Sequence, residues 1–117
     1  MYSPDLSMGL GSIVYALSKL DGHLHKQEQW IVKELLAQGP HGDLALSAFF
    51  LRENTGQPGD DAYAFGMRRL VAKRLELTEN IKKRFVRILL RVARAHNGIS
   101  REERSFIRQF WQEIRRL

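Results

Sequence analysis

Asp21, Glu28, His96 and Glu103 are the side chains of this 117-residue chain best placed to do chemistry together, because they hold matching positions in a segment that occurs twice. Residues 17–36 align with residues 92–111 at a constant offset of 75 and without a gap, which sets Asp21 over His96 and Glu28 over Glu103. Ile31, Val32, Leu35 and Leu36 fall over Phe106, Ile107, Phe110 and Trp111, so the apolar positions of a helix persist for two further turns. Three carboxylates and an imidazole, with His23 and His25 nearby, are donors for a divalent metal. Calcium or magnesium wants several oxygen ligands, whereas the histidines shift the set toward zinc. The glutamates also have a purely structural use. Each stands at the third position of its helix, where a carboxylate caps backbone N–H groups with or without a metal.

A second chemistry lies in the cations. Residues 1–61 carry four basic and eight acidic side chains and residues 62–117 carry fifteen and five, so the halves stand near −4 and +10. Lys83, Arg87, Arg91 and Arg94 share a narrow sector of one helix, and Arg101, Arg104 and Arg108, with Arg115, share a sector of the next. Such stripes suit the phosphates of an anionic membrane surface or of nucleic acid, an acidic partner, or simple solvation. No nucleic-acid recognition motif accompanies them, so nucleic acid is not the expected ligand. Trp30 lies off the apolar arc of its helix, beside Lys26, Gln29 and Lys33. It either anchors a protein partner or is covered by the third helix or the glycine-rich loop.

Catalysis finds no footing. The four histidines, at positions 23, 25, 41 and 96, make no nucleophile–base–acid arrangement of recognisable spacing, and no phosphate-cradling glycine loop is present. With no cysteine there is neither a disulfide framework nor a thiolate metal site. The first 24 residues lack a basic leader followed by an apolar run, so a cytoplasmic protein is expected.

The elements that must position these groups are all helical. Ser3-Pro4 opens a first helix to about residue 20, with Gly9 and Gly11 expected to fray its start so that the firm helix begins near Ser12. A second helix spans residues 26–38 and stops at Gly39-Pro40. Asp43 caps a third to about residue 53, and residues 54–59 form the clearest loop. Asp60 or Asp61 starts a fourth, to about residue 75, with Met67, Leu70 and Val71 inward. Thr78 caps a fifth over residues 79–96, whose wide apolar arc marks it as the expected central helix. Ser100-Arg101-Glu102-Glu103 has the form of a capping box and opens a sixth. The expected fold is one all-α domain over residues 1–117, a compact six-helix bundle of two pseudo-symmetric helix–turn–helix repeats. Its expected core is Leu35, Leu36, Phe85, Ile88, Leu89, Val92, Phe106, Phe110 and Trp111, with the two turns close together.

At the turns, Leu20-Asp21-Gly22-His23-Leu24-His25-Lys26-Gln27-Glu28 and Ala95-His96-Asn97-Gly98-Ile99-Ser100-Arg101-Glu102-Glu103 resemble the TerB-like family, whose signature is a repeated helix–turn–helix of the form Ala-x-Ala-Asp-Gly-x-Ile-x-x-x-Glu. The likeness extends over nearly the whole chain. It implies a non-enzymatic adaptor or sensor in a bacterial stress response of the tellurite-resistance type, acting on a protein partner, with acidic turn residues proposed to hold a metal. Asp21, Gly22, Glu28 and Glu103 match the family's polar pattern, and His96-Asn97 stands where the second copy would carry Asp-Gly.

Overall fold

A computed structural model describes residues 2–21, 26–95 and 98–117. Six α-helices follow one another: α1 (Pro4–Ser18), α2 (Lys26–Gln38), α3 (Gly42–Thr55), α4 (Gly59–Ala72), α5 (Glu79–Ala93) and α6 (Arg101–Ile114). Short 3₁₀ turns at Lys19–Asp21 and Arg74–Glu76 follow α1 and α4, and the described residues contain no strand. The turn residues Gly22, His23, Leu24, His25, His96 and Asn97, and the Asp21 side chain, lie outside the described residues. The expected closeness of the two turns therefore lies there too.

The centre of the bundle is α1, not α5 as its apolar arc suggested. From Leu6 to Ser18 every residue of α1 but Met8 is buried, with α3 and α4 packed along it and α5 also in contact. A helix surrounded on all sides needs apolar groups all round, and residues 6–18 carry no charge. The two glycines expected to fray α1 are its crossing points instead. A Cβ at Gly9 would stand 3.1 Å from the Gly66 carbonyl oxygen of α4, and one at Gly11 would collide with the Ala45 carbonyl oxygen of α3. Lacking side chains, they let neighbouring backbones come close, and the burial of Leu6, Leu10, Ile13, Val14 and Leu17 outweighs the helix-propensity cost of about 1 kcal/mol per glycine.

Two hydroxyls inside this layer find acceptors in the adjoining turns. The Ser7 hydroxyl donates to the Pro40 carbonyl at 2.6 Å, and the Tyr15 hydroxyl to the Gln57 carbonyl at 2.7 Å, which ties α1 to both neighbouring turns. Phe49 of α3 sits edge-on to Tyr15. Arg52, buried on α3, donates to the Ala48 carbonyl at 2.8 Å and lays its guanidinium over Phe65 at 4.2 Å; burial lowers its pKa.

Several boundaries differ from expectation for local reasons. Ser3 caps nothing with its side chain; its backbone N–H donates to Glu76, and Pro4 fills the first helical turn as expected. The loop at 54–59 shrinks to three residues, because α3 runs on to Thr55, Gly56 takes the left-handed conformation (φ 65°) that ends it, and α4 begins at Gly59. Asp43 lies inside the first turn of α3, with left-handed His41 at the cap position. Helix α4 ends at Ala72, so Val71 is exposed rather than inward and Leu75 is left on the surface. Helix α5 stops at Ala93. Of the expected core, Leu35, Leu36, Phe85, Ile88, Leu89, Val92 and Phe110 are buried, whereas Phe106 and Trp111 are only partly so.

Candidate functional site

Helices α5 and α6 are each fixed at their N-termini by their own sequence. Thr78 Oγ1 accepts the Ile81 N–H at 3.2 Å, and at α6 Ser100 Oγ accepts the Glu103 N–H at 3.1 Å while Glu103 Oε1 accepts the Ser100 N–H at 2.9 Å. With their starts fixed, Phe85, Ile88, Leu89 and Val92 of α5 and Ile107, Phe110 and Ile114 of α6 turn inward. The basic stripes are thereby pushed outward, on either side of the line where the two helices meet.

Between α5 and α6 the surface sinks into a hollow of about 400 Å³. Val86, Leu90, Ile99, Ile107 and Trp111 form its apolar floor, and Arg94, Arg104 and Arg108 stand around it. A second hollow of about 430 Å³, lined by Lys83, Arg87, Val86 and Trp111, meets the first at its shared residues Val86 and Trp111. Five of the eight basic residues of the two stripes therefore border one amphipathic groove, and Arg115, exposed past the end of α6, does not. Arg91 turns to the opposite flank of α5, toward α2, and Arg101, exposed in the first turn of α6, lines neither hollow.

None of these cations is neutralised within the described residues. The ion pairs there join Asp5 to Arg69 (2.7 Å) and Lys73 (3.9 Å), and Glu79 to Lys82 (3.5 Å), all outside the groove. Arg104 and Arg108 are like charges one helical turn apart, a mildly destabilising pattern. Its positive potential is available to a ligand.

Trp30 is 61% exposed, covered neither by α3 nor by the loop after it, and borders a hollow with Lys26, Gln27, Ile31 and Ala95. Of the proposed metal donors, only the Glu28 and Glu103 side chains fall within the described residues. Glu28 and Glu103 are both buried, at 2% and 4% exposure, and Glu103 is committed to its capping box. Asp21's side chain and His96 lie outside the described residues, and among the described residues no three His, Asp or Glu side chains are grouped for a metal. Another hollow, about 590 Å³ between Lys19, Pro58, Asp60, Tyr63, Phe106 and Gln109, holds none of the predicted site residues.

Sequence reasoning missed Arg84, which lies in the cleft between α5 and α2 with Arg87 and Arg91. Its spacing to them was visible; the side of α5 that α2 leaves open was not. Among the described residues no helix is long and apolar enough to cross a membrane. Compared with known proteins, the chain matches no family model, no curated protein and no solved structure.

Proposed function

We propose that this chain is a non-enzymatic, TerB-like adaptor domain that recognises an acidic amphipathic helix of a protein partner in the α5–α6 groove. The observation that carries this reading is the pairing of an apolar floor, Val86, Leu90, Ile107 and Trp111, with Arg94, Arg104 and Arg108 around it, none of which makes an ion pair among the described residues. A helix laid in such a groove buries its apolar face on the floor and sets glutamates against the guanidinium groups. The turn motifs support an adaptor or sensor role in a bacterial stress response, through their resemblance to the TerB-like family.

A labelled helical peptide with leucines on one face and glutamates beside them tests the reading. It should bind the wild-type chain, and Arg104→Glu with Arg108→Glu should abolish binding while leaving helix content unchanged. Binding by the double variant equal to wild type would refute it.

The basic stripes also favour a second reading, a basic module on an anionic membrane surface or nucleic acid. Salt separates the two, since phosphate contacts weaken steeply as counterions compete, and apolar docking does not.

A further inference from the structure

The flank of α5 opposite the groove forms a cleft of a different kind. Arg84, Arg87 and Arg91 recur at helical spacing along it, facing Gln38 at the end of α2, with Asn80 closing one end. The hollow measures about 410 Å³, within the size range of small-ligand sites. No carboxylate lines it, and none of the three arginines makes an ion pair among the described residues. Its two aliphatic residues, Leu35 and Ile88, are only 8% and 7% exposed, so they lie deep beneath the arginines. The polar lining is a set of hydrogen-bond donors, three of them positively charged.

Arg84 is also held in place. Its guanidinium lies over the Tyr2 ring at 5.6 Å, Tyr2 is fixed edge-on by Phe85 at 5.1 Å between centroids, and a Cβ on Gly39 would come within 3.6 Å of the Arg84 Nη2 atom. A guanidinium restrained before binding loses less freedom on gripping an anion, and its planar fork matches a phosphate's oxygens two at a time. The first turn of α5, where Asn80 sits, adds the partial positive charge of a helix N-terminus.

We infer that the α2–α5 cleft binds a compact, multiply charged phosphate compound, with Arg84, Arg87 and Arg91 chelating its oxygens and Gln38 and Asn80 donating from either end. The site shares Arg87 with the α5–α6 groove but can be told apart from it, because Arg84 and Arg91 border only the cleft and Arg104 and Arg108 only the groove.

Calorimetric titration of the full chain at low salt, with inorganic pyrophosphate as probe, tests it. Pyrophosphate should bind more tightly than orthophosphate. Arg91→Gln, which alters an exposed side chain, and Arg84→Gln should each weaken binding about tenfold or more, the scale of one lost charge-assisted contact. Arg104→Gln removes the same unit of charge from the other groove and should change affinity less than twofold. Failure of pyrophosphate to bind, or equal weakening by Arg104→Gln and Arg91→Gln, would overturn the site, the latter in favour of a diffuse field. Vesicles containing phosphatidylglycerol form a second arm; binding to them without binding of free pyrophosphate would overturn the cleft in favour of a membrane-facing surface.

Discussion

Gly9 of α1 and Gly66 of α4 meet backbone to backbone. A Cβ on Gly66 would lie 2.9 Å from the Gly9 carbonyl oxygen and 2.7 Å from the Ile13 Cδ1 atom. Gly66→Ala must therefore push α4 away from the buried α1, and the gain in helix propensity does not offset that overpacking. The expected loss is about 1–3 kcal/mol, read as a lower midpoint in denaturant with an unchanged slope. A midpoint at or above wild type would mean that the two helices can separate freely at this crossing.

The capping box at α6 makes its own prediction. Ser100→Ala should cost about 1 kcal/mol, and Glu103→Gln, which keeps an acceptor for the Ser100 N–H, should cost less. If capping is the whole role of Glu103, added zinc leaves the melting temperature where it was. A zinc-dependent rise that disappears in Asp21→Ala would instead give the paired turns a metal, since a ligand of the native state stabilises it by mass action.

All three tyrosines should resist ionisation. Burial raises the pKa of Tyr2, against the opposing charge of Arg84; burial and then Glu53 raise that of Tyr15, against Arg52. Tyr63 is raised furthest, first by burial, then by its hydrogen bond to Glu113 and by that carboxylate's charge. Because the folded chain holds these protons more tightly than the unfolded chain, the stability they lend is complete below the ordinary tyrosine pKa of about 10. It is lost as pH rises above that value. Tyrosinate absorbance should thus appear together with the loss of helical circular dichroism. A separate tyrosinate transition near pH 10 in a chain that stays folded would contradict the burial of these hydroxyls.

Occupation of the α5–α6 groove should be visible through Trp111, which forms part of its floor. In a Trp30→Phe background, Trp111 becomes the chain's one tryptophan. Its emission should shift to shorter wavelength when an acidic amphipathic peptide binds, and quenching by acrylamide should fall. Retention of most of this change in several hundred millimolar salt would identify apolar docking, whereas its complete loss would assign the contact to charge.

Local rules carried much of this molecule. Thr78, Ser100 and Glu103 announce their helix starts by type and spacing, and the wide apolar arcs of α5 and α6 fix which sides turn inward and where the cations go. The role of α1 was misread because glycine was weighed as a cost to a lone helix. In the packed molecule Gly9 and Gly11 are contact points, and the run of uncharged residues 6–18 was the signal for full burial. Likewise Val71 falls in the last turn of α4 and Leu75 beyond its end, where the chain turns through Arg74–Glu76 to reach the Thr78 cap, so the apolar periodicity outran the helix. The division of the arginines between groove and cleft could not be read from one helix at a time. A stripe shows which cations are neighbours along α5, but only the placement of α2 and α6 decides that Arg94 joins Arg104 while Arg91 joins Arg84.

The enclosure of α1 also sets a clock for the molecule. Backbone amides from Leu10 to Leu17 lie in a helix covered by α3, α4 and α5, so solvent reaches them only when the bundle comes apart as a whole. Deuterium should enter this segment last, at a rate that tracks global unfolding, while the outer turns of α6 exchange through brief local opening. The element that lines neither the groove nor the cleft is thus the one whose protons report the lifetime of the entire fold.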